Sequence, residues 1–341
     1  MIEKKKIAII GASYLQLPLI EKAKMMGLET HVFAWAADDV GEKAADFFYP
    51  ISIREKEEIL KVCEKVCIDG ICSIGSDLAM LTVGYIANNM GLTSNSNDAV
   101  QKSTNKHLMR LAFEQAGDPS PKSVLIDASS ELNDLVLEYP IIVKPTDRSG
   151  SRGICKLDNG EGLNEAVTYA IAQSFEKKVL LEEFVDGKEY SVEYISWEGR
   201  HYFIAVTEKH TTGAPHFIET GHKQPADLDG DTVEKVKTII NHALTTLGIS
   251  FGASHSEIKI NNDGNIKIIE IGGRMGGDCI GSDLVTLSTG YDYVKAVIDV
   301  ALGKKPETPS GNSIQTAIIE YEIDEKVTDS SNRLGYKIYT V

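Results

Sequence analysis

Two glutamates, Glu257 and Glu270, lie in runs that alternate apolar and polar residues: GASHSEIKI from Gly252 to Ile260, and IKIIEIGGRMGGD from Ile266 to Asp278. Such alternation between β-branched positions predicts a strand in each run. Asp263-Gly264 between them is a strong two-residue hairpin turn. A hairpin closed on that turn puts Glu257 directly opposite Glu270. Facing carboxylates cost about 0.2–1 kcal/mol unless something positive lies between them, and a divalent cation held by oxygen ligands supplies that charge. Arg274 follows four residues later, where its planar fork can hold a phosphate. The alternative is a surface hairpin whose acids simply face water, and the rest of the chain weighs against it.

Pro140 to Pro145 reads PIIVKP, an apolar strand ending on Lys144. A lysine there is costly unless it has an anionic partner. Directly after it, Thr146 to Ile154 reads TDRSGSRGI, whose small residues let backbone N–H groups approach phosphate oxygens. The spacing is not G-x-x-x-x-G-K-[ST], so a P-loop is not expected. A helix is predicted over Ser103–Ala116. Lys106 lies near its start, the wrong end for a cation, and becomes useful once an anion docks nearby. Val179–Glu193 reads VLLEEFVDGKEYSVE: a strand, a turn at Asp186-Gly187, and a second strand on which Glu189, Ser191 and Glu193 share one face. On its own that face reads as the charged outside of an edge strand. The stretch from His210 to Leu228 has no period and is predicted to be a loop, commonly a functional feature at this length. It offers His216, Glu219 and His222 as candidate substrate-binding groups, but no HExxH-like spacing, so zinc is not expected.

The elements that must position these residues follow an α/β plan. Strands at Lys6–Ile10, Thr30–Phe33 and Gly70–Ile74 alternate with helices near Gln16–Met26, Glu55–Val66 and Asp77–Met90, which predicts a parallel sheet covered on both faces. The Gly11-Ala12-Ser13 turn lacks the full G-x-G-x-x-G, so this lobe is expected to wall a cleft rather than bind a dinucleotide. Further on, a hairpin turns at Glu198-Gly199. Helices are expected at Thr232–Leu247 and at Asp283–Leu302, the second broken near Thr289-Gly290. Strands close the chain at Ile314–Tyr321 and Gly335–Val341. With 341 residues, 42% hydrophobic and 25% charged, there is room for two or three soluble domains. A net charge of −15 argues against broad binding to nucleic acid or anionic membrane. Five cysteines without a CxxC pair read as reduced thiols. No apolar run reaches bilayer length, and the N-terminus enters a strand at once instead of a signal peptide. The expected compartment is the cytoplasm.

Taken together, Lys106, the VKP lysine Lys144, the small-residue loop, LEEFVDGKEYSVE, the two glutamates and Arg274 resemble the ATP-grasp superfamily, and within it the carboxylate–amine ligases. GASHSEIKI and the Gly-His of IETGHKQPADL are most similar to the L-amino-acid (dipeptide) ligases. The resemblance runs from Gly11 to about Gly303. It implies an N-terminal parallel-sheet (pre-ATP-grasp) domain at 1–95 and an ATP-grasp domain at 96–303, with a small lid subdomain at about 118–188. A short C-terminal strand segment follows at 304–341.

The cofactors implied are ATP and Mg²⁺, with Mn²⁺ as an alternative. Lys106 and Lys144 would contact phosphates, and Ser149, Gly150, Ser151 and Gly153 would close over them. Glu182, with the backbone of Glu183 and Val185, would meet adenine, and Glu189 the ribose. Glu257 and Glu270 would bind metal, and Arg274 would steady the transferring phosphoryl group. Glu219, His222, Arg274 and Asp278 would face the substrates, with His222, Glu219 and Asp278 as candidates to take the amine proton. Asp278 follows Gly276-Gly277 and is placed either to read a cationic group or to cap a helix. The substrates implied are a small carboxylate and an amine, both amino acids, with any assembly expected to be a homodimer. Many grasp enzymes carry asparagine two residues after the second metal glutamate; here that residue is Gly272, which puts the number of metal ions in question. Two other readings stay open at this point: another grasp enzyme, such as a purine-pathway carboxylate ligase or a carboxylase component, and a nucleotide-binding module without catalysis. The chain has neither a biotin-attachment MKM nor a duplicated grasp module.

Overall fold

The computed structural model describes residues 4–341 except 128, 131, 133, 134, 151, 214–217 and 324–332. Four short strands, β1 (Lys6–Ile10), β2 (Glu29–Phe33), β3 (Phe47–Tyr49) and β4 (Gly70–Cys72), form a parallel sheet in the order β3-β2-β1-β4. Helices α1 (Leu17–Met25), α2 (Val40–Ala44), α3 (Lys56–Val66) and α4 (Asp77–Met90) alternate with them. Neither α2 nor β3 shows in the sequence pattern. The first is five residues fixed by an Asp39/Glu42 capping box, and the second is a three-residue edge strand.

The single helix expected from Ser103 is two helices, α5 (Asn97–Thr104) and α6 (Lys106–Ala116). Asn105 between them is extended, and its side chain accepts from the N–H groups of His107 and Leu108 at 3.0 and 3.2 Å. That is an N-cap, and it makes Lys106 the first residue of α6. A smaller antiparallel sheet follows, built from β5 (Ser123–Asp127), β6 (Ile141–Pro145), β7 (Cys155–Leu157) and β8 (Lys178–Glu183) in the order β5-β8-β6-β7. Helix α7 (Leu163–Gln173) buries Ala166, Val167 and Ala170 against it.

The largest sheet is antiparallel and carries most of the chemistry. Its strands are β9 (Lys188–Trp197), β10 (Arg200–Thr211), β11 (Glu219–Gln224), β12 (Gly252–Ile260), β13 (Ile266–Gly272), β14 (Ala317–Ile323) and β15 (Arg333–Thr340), ordered β13-β12-β9-β10-β11-β14-β15. Helix α8 (Gly230–Thr246), capped by Asp229, covers part of it. A π-helical turn (Ile280–Leu284), α9 (Val285–Thr289) and α10 (Tyr293–Ala301) follow β13. Among the described residues no helix is long and apolar enough to cross a membrane.

Three further expectations need correction. First, β9 is central rather than an edge strand, paired to both β10 and β12. Second, the stretch read as a loop to Leu228 contains β11, which pairs with β10 and β14. Its residues ETGHKQ lack an apolar alternation because its buried side chains are polar. Gln224, for instance, accepts from Thr207 and donates to Ser288. His216 lies outside the described residues. Third, the hairpin does not turn on two residues. Its last pair is Ile260–Ile266, so the loop is Asn261–Asn265, and Ile269 is bulged out between the Ile258–Ile268 and Glu257–Glu270 pairs. The longer turn shifts the register by one residue and the bulge shifts it back. Glu257 and Glu270 therefore do face each other.

A shared apolar layer joins the N-terminal lobe to the large sheet. Ile7, Ile9, Leu19 and Ile20 pack with Ile195, Ile204, Tyr293 and Ile298, all almost fully buried. Each such aliphatic side chain contributes about 1.5–3 kcal/mol through burial. The layer fixes the carboxyl ends of the parallel strands beside the β12–β13 hairpin.

Candidate active site

A cleft of about 670 Å³ runs between the small sheet, the large sheet and the N-terminal lobe. Its chemistry falls into four clusters.

At one end Lys144, the last charged residue of β6, is buried with its ammonium 2.6 Å from Glu182. Arg110 bonds the other Glu182 oxygen at 2.8 Å and donates to the carbonyl of the bulged Ile269. Burial alone would raise the Glu182 pKa; Arg110 and Lys144 outweigh it and hold the carboxyl below its usual range. Burial lowers the Lys144 pKa against the pull of Glu182. Thus the Glu182 carboxylate is committed to two cations. Beside it, Glu183, Val185 and Glu189 line the cleft, and the Val185 carbonyl accepts from Lys259 at 3.2 Å.

The small-residue loop lies next to this cluster. Ser149 and Gly150 line the cleft, and Gly150 has a φ of +68°. Gly153, at φ +77°, packs so closely that a Cβ would lie 2.8 Å from Pro145. Ser151 lies outside the described residues. Lys106 reaches across from α6, donating to the Arg148 carbonyl and to Glu270, both at 2.7 Å. The Arg148 guanidinium lies over the Phe175 ring at 4.5 Å, and Arg54 of the N-terminal lobe lies over the same ring at 4.6 Å.

The third cluster is the hairpin pair. Glu257 is 2.7 Å from Lys209, while Glu270 is held by Lys106. Lys209 also meets Glu189 at 3.0 Å and Glu219 at 2.8 Å, so one buried ammonium serves three carboxylates. Burial opposes its charge, but the three acids raise its pKa well above the ordinary lysine value. His255 is 3.6 Å from Glu257 and hydrogen-bonded to the fully buried Glu193, whose second oxygen accepts from the N–H of Gly276. As a donor set, two carboxylates on facing strands suit a hard divalent cation.

In the fourth cluster Glu219, His222 and Asp278 bring one ligand-type atom each within 4.8 Å of one another. The His222 ring meets Tyr321 edge-on at 5.6 Å, and the Tyr321 hydroxyl donates to the Asp278 carbonyl at 2.6 Å. Asp278 and Cys279 are consecutive left-handed residues, at φ +52° and +61°. Such backbone costs of order 1–3 kcal/mol each, a cost that marks a constrained position.

Arg274 is bidentate to Asp77, the first residue of α4, at 2.7 and 2.8 Å. Burial would lower its pKa; Asp77 outweighs that and raises it further.

The structure thus gathers every described candidate around one cleft except Gly153, which packs behind the loop, and His222, buried beneath Glu219. It adds residues that the sequence reading missed. Arg110 lies one helical turn from Lys106, a spacing that puts both on one face, so it was recoverable. Asp77 follows a parallel strand at its carboxyl end, where ligands gather in α/β sheets, and was recoverable too. Lys209 and the His255–Glu193 pair carry no such signal.

Part of the chain matches a known domain family. Residues 137–283 match the ATP-grasp domain family. They form an ATP-grasp domain. The chain is 27% identical over 310 residues to the alanine–anticapsin ligase of Bacillus amyloliquefaciens, covering 80% of this chain and 65% of that one. It is 22% identical over 342 residues to human carnosine synthase 1, covering 91% of this chain and 41% of that one. The chain therefore spans less than two thirds of these relatives. Among solved structures it is similar to the L-amino acid ligase of Bacillus licheniformis, with a TM-score of 0.81 and 25% identity over 95% of this chain and 82% of that one. The phosphoribosylglycinamide synthetase of Anaerococcus prevotii shares the fold at a TM-score of 0.77 and 22% identity, over 95% and 82% of the two chains. The fold class is the one the resemblance implied: a parallel sheet in the N-terminal part, ahead of two antiparallel sheets.

Proposed function

We propose that this ATP-grasp chain joins a carboxylate to an amine, both amino acids, using ATP to activate the carboxylate. The observation that carries the reading is the pairing of Glu257 with Glu270 across the hairpin, with Lys106, Lys144 and Arg274 turned into the same cleft. A carboxylate is a poor acyl donor because its oxygen leaves badly. Transfer of the γ-phosphoryl group onto that oxygen gives an acyl phosphate and ADP. Attack by the amine then gives an amide and releases phosphate, with one proton lost from the amine.

The work of the protein is positioning and charge neutralisation. Lys106 and Lys144 meet phosphates, and the Ser149–Gly153 loop closes over them to exclude water. Glu183 and Val185 offer backbone groups to the adenine. The Glu182 side chain holds Lys144 and Arg110 in place, while Glu189 faces the ribose. Arg274 steadies the phosphoryl group in flight. Glu257 and Glu270 would hold Mg²⁺, or Mn²⁺, whose charge offsets that of the phosphates. Glu219 and Asp278 face the amino-acid groups, with His222 buried behind them, and this trio supplies the group that takes the amine proton. Supporting this reading are the likeness to the alanine–anticapsin ligase and to the L-amino acid ligase, and the polar cluster on β11 beside Asp278.

The test is phosphate and ADP release screened over pairs of amino acids, with mass spectrometry of the product. Amide formation from at least one pair is expected. Absence of ADP release with every pair, together with no Mg²⁺-dependent ATP binding, would overturn the proposal.

A further inference from the structure

Where many grasp enzymes carry a side chain two residues after the second metal glutamate, this chain has Gly272, and the room that a side chain would take is not vacant. A Cβ built on Gly272 would lie 2.7 Å from Oδ1 of Asp77 and 3.3 Å from Cζ and Nε of Arg274. Contacts under 3.0 Å are not made by real Cβ atoms. The Asp77–Arg274 pair therefore lies directly on the β13 backbone, and a side chain at 272 would have to displace it. Asp77 and Arg274 are 197 residues apart, and each side chain is 13% exposed.

We propose that Asp77 is a positioning residue for Arg274, so that the N-terminal lobe completes the catalytic site. An arginine offers five N–H donors in one plane. Asp77 takes the Nε and Nη2 donors on one edge, and Nη1 leans on the Met275 carbonyl at 3.4 Å. Both contacts fix the plane of a guanidinium that lines the cleft and leave N–H donors on Nη1 and Nη2 for a ligand there. Without Asp77 the guanidinium could rotate about its flexible stem and present any edge. The apolar layer under α1 and α10 holds the lobe, and hence Asp77, at a fixed distance from the hairpin. The Asp77–Arg274 pair fills the room over Gly272 that a side chain there would take.

This rests on the ligase reading, in which Arg274 meets the phosphoryl group, and the experiment separates the two. Wild type, Asp77→Asn, Arg274→Lys and the double variant are compared as full chains, by kcat and by KM for ATP, with a productive amino-acid pair. Misplacing a reacting group by about 1 Å costs about 100-fold. A drop in kcat of about that size is expected for Asp77→Asn, with KM for ATP unchanged within about twofold. In the Arg274→Lys background the same change should cost less than about threefold, because Asp77 acts through Arg274. Multiplying penalties, or an unchanged kcat in Asp77→Asn, overturns the proposal.

Gly272→Asn is the reciprocal probe. It should lower kcat in the wild-type chain, where the room is filled, and raise it about tenfold in the Asp77→Ala chain, where the vacated room lies within 3.3 Å of the Arg274 side chain and would admit an amide oxygen as acceptor (both factors on the scale of the displacement above). No gain in Asp77→Ala overturns the idea of shared room. If wild type turns over no pair, the ligase reading fails instead. The ion pair is then judged by melting temperature: equal losses in both single variants and the double support it, and additive losses refute it.

Discussion

Lys209→Met replaces one buried ammonium by an apolar chain of similar length. The oxygens of Glu189, Glu219 and Glu257, now 3.0, 2.8 and 2.7 Å from Nζ, would face one another without it. Removing one partner of a buried charge set costs about 3–5 kcal/mol. The three carboxylates keep 20%, 19% and 26% of their surface in water, so the lower figure applies, about 3 kcal/mol or roughly a hundredfold in the folding equilibrium. The pH dependence has a definite sign. Burial would raise the carboxyls of Glu219 and Glu257; Lys209 outweighs it and holds both well below their ordinary range. That stability is present above the ordinary carboxylate value, about 4.3, and is lost as pH falls through the depressed values. In the variant, burial and mutual repulsion raise the same groups, so its stability falls as pH rises. The gap between the two proteins is therefore widest near pH 8 and narrows toward pH 5. Thermal melts at both pH values measure it. A gap below about 1 kcal/mol at pH 8, or one of equal size at pH 5, refutes the reasoning.

Glu270→Gln should abolish ADP release while circular dichroism stays that of wild type; turnover near the wild-type rate would rule out Glu270 as a metal ligand. Lys144→Ala should weaken ATP binding by at least tenfold, a charged hydrogen bond being worth about 1.5–3 kcal/mol, and equal affinity by calorimetry would count against a phosphate contact. Burial would lower the His255 pKa, but Glu193 outweighs it and lifts it to about 9. The stability this gives is fully present below pH about 6.5 and is lost as pH rises through about 9. His255→Gln should remove that decline in melting temperature, and a slope that persists would assign it to other groups.

Much of the fold was legible because its signals are local. The parallel lobe follows from strand–helix alternation, and the hairpin from its period-two runs, although its loop is Asn261–Asn265 and not the two residues Asp263-Gly264. What escaped obeys non-local physics. β11 hides because its inward residues are polar and paired, as Gln224 is with Thr207 and Ser288. Lys209 looks like any strand lysine until three acids from β9, β11 and β12 converge on it. Glu182 was assigned by resemblance to the adenine, whereas its side chain is held by Lys144 and Arg110. The partner of Arg274 lies 197 residues away, and no spacing rule reaches that far.

The extra residue at Ile269 works like a vernier. By slipping the strand one notch it not only realigns two acids but also turns a main-chain oxygen outward, where Arg110 seizes it. From there a taut line of contacts runs through Glu182 to the ammonium of Lys144. Shortening the loop at Asn261–Asn265 to an ideal two-residue bend would spare the opposed glutamates, yet it would slacken that line and loosen a lysine on a different sheet.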